Sequence, residues 1–410
     1  VIARRGFTIM SFLSTPIKTA VNTITQQLDT PFFVYDLDQL NTHLARLVAQ
    51  TDVKLWYAVK ANPLSKIIQS LDSAGFNFDV ASKGELEQVL AQGISSQRVL
   101  NTGPAKSPKQ IKHFIERGVR IFVAESLNQV RWLNQQAQLQ NTQLQVLLRV
   151  QLRWPEGEKN PLGGDSLTPF GLGCDEWQAL NVADYPALKF DGLHIFQWGN
   201  MLSTQKLSDL WSQMIAPLSQ LASDLNISLK ILDLGGGLGI PYTQNEATLD
   251  WDDLIAALAK IKNDAGVEEL WMELGRYAVG ECGHYANPVV ERKQNYNQEQ
   301  VILSGGINHL LRPAVTSQDF PAALLRESSA KTQAVTLYGP LCTALDCLGE
   351  HNLPSDLNEH DWLVFSQCGA YGFTESMPYF LCHELAAEYT LQNGTLTCVR
   401  QAENASHYLR

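Results

Sequence analysis

The sequence predicts an α/β chain whose larger part is a (β/α)8 TIM-like barrel. Three observations carry this. Between residues 54 and 276, short apolar runs alternate with longer segments whose apolar residues recur at spacings of three and four. There are eight such runs, the number an eightfold βα barrel needs over that length. Several intervening segments close on glycine, which ends helices in the left-handed conformation. A doubly wound open sheet shares this local periodicity and is the alternative that periodicity alone leaves open.

In order, the runs are KLWYAV from residue 54, FDVAS from 78, RVLNTG from 98, RIFVAE from 120, QVLLRVQ from 145, FDGLHIF from 190, ILDLGGG from 231 and LWMELGR from 270. Between them, PLSKIIQSLDSAG, KGELEQVLAQG and SLNQVRWLNQQAQ have helical period. In a barrel the C-terminal ends of the strands converge on one face, where loops build the site. Reading those ends gives Lys60, Ser82, Glu125, Arg149, His194, the triplet Gly235, Gly236 and Gly237, and Glu273 with Gly275 and Arg276. Each has a bland explanation alone: Lys60 could snorkel, His194 could be a satisfied core histidine and Glu125 could cap a helix. Their convergence on one face is what makes the set chemically coherent.

ILDLGGGLG reads as a buried strand entering a glycine turn, where backbone N–H groups can approach an anion at the N-terminus of the following helix. A dinucleotide-binding loop would open its domain, whereas this turn is seventh of eight, so a phosphate held late in a barrel fits better. Arg276 would add a guanidinium. A lysine, a phosphate cradle and a glutamate together fit pyridoxal phosphate, which forms a Schiff base with a lysine and has a ring nitrogen that an acid can keep protonated. Lys60 is the candidate for the first role, Glu273 for the second, and His194 for stacking on the ring.

Composition narrows the partners. The net charge of -11, without a Lys/Arg run, argues against nucleic acid. No apolar run approaches the roughly 20 residues of a membrane span. Seven cysteines at irregular spacing, with no CxxC pair or Cys/His ligand set, predict reduced thiols, a cytoplasmic location and no metal site. Cys342 and Cys347 match no ligand spacing. The opening VIARRGFTIMSFL lacks a sustained apolar stretch, so secretion is not expected and Met10 is a candidate initiator. The sequons at Asn226, Asn393 and Asn404 then carry no weight.

On YAVKAN, FDVASKGEL, GLHI, DLGGGLG, ELGRY, GPLCTALDCLG and GAYG, seven motifs in order across nearly the whole chain, the sequence resembles the fold-type III pyridoxal phosphate enzymes, the group of alanine racemase and of ornithine and diaminopimelate decarboxylases. The resemblance implies that Lys60 carries the Schiff base and His194 stacks on the ring. It places Gly235, Gly236, Gly237, Gly275 and Arg276 around the phosphate and Glu273 at the pyridine nitrogen, with Tyr371 as a further cofactor contact; Ser82 and Arg149, at the strand ends, are cofactor-binding candidates beside them. It implies a homodimer in which Cys342 reaches the active site from the second subunit and helps protonate the product. It implies a barrel over residues 38 to 286 and an antiparallel β-domain from residues 287 to 410, completed by residues 10 to 37 with the strand FFVYDL. VVERK, QVILSGG, QAVTLYGP, DWLVFSQ and the hairpin YTLQNGTLTCV would supply its strands.

Within that group a racemase sets an arginine against the ring nitrogen, so Glu273 favours decarboxylation. Departures from the pattern bear on the substrate. Ornithine and diaminopimelate decarboxylases carry an acid directly after the GPxC cysteine to receive the distal ammonium, and here that position is Thr343. Leu274 replaces the usual proline of EPGR, and Phe196, Gln197 and Trp198 replace a Gly-Ser turn. The combination resembles the branch acting on modified amino acids, including citryl conjugates in siderophore assembly and carrier-bound glutamyl groups. Arg153, His309 and Arg312 are the candidate contacts for citryl carboxylates. The rival readings are a diaminopimelate or ornithine decarboxylase and a non-catalytic binding protein of the same fold.

Overall fold

The computed structural model describes residues 12–49, 52–153 and 167–410, so Met10 lies outside the described residues. The chain divides into a barrel unit, Asn41–Ile240 with Ala247–Ala278, and a β unit, Val1–Leu40 with Pro241–Glu246 and Val279–Arg410. A boundary at residue 286 would cut the strand Gly283–Asn295, which lies wholly in the β unit.

Strand β1 (Phe32–Asp36) belongs to the β unit. The barrel strands follow: β2 (Lys54–Ala58), β3 (Asn77–Val80), β4 (Val99–Asn101), β5 (Ile121–Ala124), β6 (Leu144–Arg149), β7 (Leu188–His194), β8 (Ile231–Asp233) and β9 (Glu269–Leu274). They pair in parallel in chain order, and β9 closes on β2 with Trp56 beside Glu273. That closure rules out the open doubly wound sheet.

Local chemistry sets the connecting helices. Ser107 caps Pro108–Glu116 and Ser126 caps Leu127–Leu139, each accepting a backbone N–H three residues on. Ser65–Ala74 stops at Gly75, whose φ of 92° suits glycine. Inside the barrel, Trp56, Leu100, Val123, Leu147, Ile231 and Trp271 form one buried cluster, with the two indole rings 4.9 Å apart. Neighbouring strands cannot collapse into a gap that size, so Trp56→Ala is expected to lower stability by about 3–5 kcal/mol in equilibrium denaturant unfolding. A loss below about 1 kcal/mol would show that the tryptophan layer does not hold the barrel together.

In the β unit the sheet continues through β10 (Gly283–Asn295), β11 (Gln298–Leu303), β12 (Ala322–Leu324), β13 (Thr332–Tyr338), β14 (Cys347–Pro354), β15 (Trp362–Phe365), β17 (Ala387–Gln392) and β18 (Thr395–Arg400), with a short separate pair, β16 (Glu384–Leu385) and β19 (Glu403–Asn404). The sheet is mostly antiparallel, as expected, with two parallel pairings: β1 runs parallel to β17, and β11 parallel to β13. A tight turn forces antiparallel pairing only on strands it joins directly, and neither pair is so joined. The Asn393-Gly394 turn does join β17 to β18, with φ of 49° and 71°. Ile17, Val21 and Ile24 of the helix Thr15–Thr25 pack with Phe32, Val34 and Val364 in the core of this unit. No helix of the described residues is long and apolar enough to cross a membrane.

Candidate active site

Lys60 stands in a single 3-10 turn, Val59–Ala61, at the end of β2. Val59 and Ala61 are buried while the lysine is exposed, and Tyr57 Oη donates to the Asn62 carbonyl at 2.8 Å, fastening the turn back onto the strand. The amine is therefore carried on rigid backbone.

Across the barrel, β7 ends in His194 and β9 carries Glu273, both buried, with His194 Nε2 3.3 Å from Glu273 Oε1. The contact is not aligned as a hydrogen bond, leaving both ring nitrogens and Oε1 buried without one. Burial alone would push the Glu273 carboxyl up, but the charge of His194, their contact, and the charges of Lys60 and Arg149 outweigh it and hold the group below its ordinary value. Two further acids behave oppositely. Burial, reinforced by the charge of Glu273, pushes Asp79 and Asp233 well above the ordinary carboxylate value. Asp233 Oδ1 accepts the Gly235 N–H at 2.8 Å, and Thr102 donates to Asp79 Oδ1 at 2.6 Å. Sequence reading missed both acids, although an aspartate inside an apolar run, as in FDVAS and ILDLG, is the signal that could have found them.

His194, Asp233 and Glu273 bring their donor atoms within 4.8 Å of one another, spacing that could also hold a cation. Asp233 has one oxygen committed to Gly235 and burial favours its protonated form, so the set suits hydrogen bonding to a ring better.

The glycine turn after β8 is refused to any side chain. A Cβ on Gly236 would lie 2.2 Å from the Glu273 carbonyl oxygen, and one on Gly237 would lie 2.5 Å from that of Trp198. Gly235 and Gly237 have φ of 62° and 93°. The turn differs from the expected one in a single respect: no helix follows directly, since the helix after β8 begins at Trp251. An anion here would be met by backbone N–H groups without a helix terminus behind them, and that of Gly235 is donated to Asp233. Gly275 and the buried Arg276 follow β9 directly.

Arg149, at the end of β6, approaches Glu125 Oε1 at 3.3 Å and lies over the Phe170 ring at 4.5 Å. Ser82 caps the helix Lys83–Leu90: its hydroxyl accepts the Glu85 N–H at 3.2 Å, and Glu85 reaches back to the Ser82 N–H. Gln197, in the altered turn, exchanges two hydrogen bonds with the Leu152 backbone, which ties that turn to the segment after β6.

The remaining candidates divide between the units. Arg153 is exposed in the barrel unit. In the β unit, Cys342 is exposed and Thr343 Oγ1 accepts the Leu345 N–H at 3.3 Å. Asp346, not singled out from sequence, organises this turn by accepting the N–H groups of Ile307 and Leu341 at 2.7 Å each. The Arg312 guanidinium lies 4.7 Å from the Tyr371 ring and pairs with both oxygens of Glu375 at 2.8 and 3.1 Å. His309 does not suit the expected carboxylate contact. Its ring nitrogens are engaged by Tyr285 Oη at 3.0 Å and the Glu384 carbonyl at 2.7 Å, and burial pulls it down to about 4, so it offers no positive charge at neutral pH.

A closed barrel with an amine at one strand end, a glycine anion cradle, and a buried acid held ionised with an unsatisfied oxygen defines an enzyme built around an organic phosphate with a basic ring nitrogen. The family described as "Pyridoxal-dependent decarboxylase, pyridoxal binding domain" matches residues 37–280, and the chain belongs to it; the cofactor is pyridoxal phosphate. The chain is 26% identical to the L-glutamyl-[BtrI acyl-carrier protein] decarboxylase of Niallia circulans over 94% of each chain. It is also 26% identical to the 2-[(L-alanin-3-ylcarbamoyl)methyl]-2-hydroxybutanedioate decarboxylase of Staphylococcus aureus, over 86% of this chain and 91% of that one. Among solved structures, the diaminopimelate decarboxylase of Helicobacter pylori complexed with L-lysine shares the fold with a TM-score of 0.84 at 22% identity, covering 94% of this chain and 98% of that one.

Proposed function

We propose that this decarboxylase removes the α-carboxylate of an L-amino acid whose side chain is conjugated, with a citryl-amino acid of siderophore assembly as the best-fitting substrate. The observation that carries this reading is Thr343. Its neutral hydroxyl, already accepting a backbone N–H, stands where a free diamino acid would need an acid. A distal ammonium buried there unpaired would cost several kcal/mol. The Staphylococcus aureus relative supports it, since its name joins an alanine unit through a carbamoyl group to a hydroxybutanedioate. Arg153 and Arg312 remain the cations for the extra carboxylates, Arg312 only by sharing its guanidinium with Glu375. A second reading, diaminopimelate, is favoured by relatives of that name at 26% and 28% identity.

In this proposal Lys60 would hold the cofactor covalently, Gly235, Gly236, Gly237, Gly275 and Arg276 its phosphate, His194 a ring face and Glu273 the ring nitrogen, with Arg149 and Tyr371 as further contacts. When bound, the cofactor supplies a sink for the electron pair left on the α-carbon as carbon dioxide departs. Glu273, ionised despite burial, sustains positive charge at the ring nitrogen. Cys342 Sγ, exposed on its own chain, returns a proton to that carbon from the second subunit of a homodimer. The irregular spacing of the seven cysteines supports a reducing, cytoplasmic setting as part of this reading.

The test is carbon dioxide release by purified, cofactor-loaded protein offered diaminopimelate, ornithine and synthetic citryl-amino acids in parallel. Release from the citryl conjugate alone is expected, and Thr343→Asp should shift preference toward the free diamino acids by about tenfold or more, the scale of one charged hydrogen bond. Steady turnover of diaminopimelate or ornithine by the unaltered protein would overturn the substrate assignment.

A further inference from the structure

Strands β11 and β13 run parallel with Ile302 beside Tyr338, so the loops that follow them leave the sheet side by side. One loop carries Gly305, Gly306 and Ile307. The other runs from Gly339 to Asp346, turns back into β14 and carries Cys342 and Thr343. Between the two lies the carboxyl group of Asp346, a residue 1% exposed. Its Oδ1 accepts the Ile307 N–H and its Oδ2 the Leu341 N–H, at 2.7 Å each. Two glycines, one in each loop, clear the space it occupies. A Cβ on Gly306 would lie 2.0 Å from Oδ1, and one on Gly339 would lie 2.3 Å from Oδ2 and 2.4 Å from Gly306 Cα.

The first loop is held from elsewhere as well: Asn287 donates to the Gly305 carbonyl at 2.8 Å and accepts the Gly305 N–H at 2.9 Å. The backbone bonds of the second run within it, from the Gly339 N–H to the Asp346 carbonyl at 3.0 Å and from the Asp346 N–H to the Thr343 carbonyl at 3.2 Å. Those bonds set its shape, and the Asp346 side chain sets its place against the neighbouring loop. A buried carboxyl is costly, and closing the turn does not need one. What it supplies is two acceptor oxygens for two N–H groups, where an asparagine would offer one acceptor and turn its NH2 against the other donor.

We propose that Asp346 is a positioning residue of the active site: by fastening Leu341 to Ile307 it fixes where the next two residues, Cys342 and Thr343, are presented. Both oxygens face backbone donors, so it acts through the loop. The inference rests on the reading of Cys342 as the thiol that returns a proton from the second subunit.

The experiment uses the full chain loaded with pyridoxal phosphate. Carbon dioxide release from diaminopimelate, ornithine and the citryl-amino acid is measured for Asp346→Asn, Cys342→Ala and the double variant, and amide hydrogen exchange is followed over residues 305–307 and 339–346. Asp346→Asn should exchange about tenfold or more faster in both segments, because one carboxyl group serves both, and should lower kcat by about tenfold or more. In the Cys342→Ala background the same substitution should lower kcat by less than about twofold, since a thiol already removed cannot be misplaced. A residue that only stabilised the fold would lower kcat equally in both backgrounds. Equal losses there, or a folded Asp346→Asn protein with unaltered kcat or unaltered exchange, would overturn the proposal. Should Asp346→Asn not fold, Gly306→Ala, whose Cβ displaces the carboxyl group, takes its place with the same expectations and the same overturning results. Unaltered kcat in Cys342→Ala would instead defeat the reading of the thiol, and the role of Asp346 with it.

Discussion

Lys60→Ala should release carbon dioxide at a rate lower by about a thousandfold or more, the scale on which loss of a covalent catalytic group acts. The same protein, titrated with pyridoxal phosphate, should lack the visible absorbance of a lysine-bound cofactor. The reason is positional as well as chemical. Lys60 is carried on a turn fastened to β2, and its charge bears on Glu273 and Asp79 across the barrel. Lys106, a buried amine between β4 and the helix Pro108–Glu116, donates to the Gly103 carbonyl and is not expected to substitute. An undiminished band in Lys60→Ala would remove the lysine from the mechanism. Retained cofactor affinity with the band lost would show that the glycine turn and Arg276 hold the phosphate without the covalent link.

Glu273→Gln should lower kcat by about a hundredfold to a thousandfold, the range for removing one preorganised electrostatic group from an active site. The amide keeps the size and loses the charge, so the variant should fold and bind cofactor. It separates the electronic role of Glu273 from its packing against His194. The pH behaviour follows from the direction of the shift. Glu273 is held below its ordinary 4.5, so it is ionised at every pH above that, and its contribution to stability is complete above 4.5 and lost only as pH falls through the depressed value. The unaltered enzyme should therefore show no acid limb from this group near pH 5. Asp79 and Asp233 carry the mirror-image signature: their pKa values are raised by burial and by the charge of Glu273, and removing that charge should let both titrate lower. A kcat for Glu273→Gln within threefold of the unaltered value would mean that the ring nitrogen needs no acid here.

Much of this fold is legible in the order of the residues alone. Strand positions stand out because a barrel strand is buried on both faces, which turns each one into a short apolar run between amphipathic segments; LWYAV and QVLLR are unmistakable. Strand β14 is not legible, because Gly349, Glu350, His351 and Asn352 break the alternation and its burial comes from neighbouring strands. Parallel pairing of β1 with β17 is invisible for a related reason. Nothing local records which distant strand a segment meets.

What the sequence determined by itself, then, was the class of fold, the cofactor and the residues that end the strands, since these depend on periodicity and on side-chain chemistry at fixed positions along one chain. The tertiary structure alone decided how those groups are charged and employed. It lowers the pKa of Glu273 while it raises those of Asp79 and Asp233, equally buried. It sets Ser82 at the cap of a helix and leaves His309 neutral between Tyr285 and Glu384. Each outcome depends on desolvation and on charges a few ångströms away across the barrel or sheet, and those distances exist only once the chain has folded.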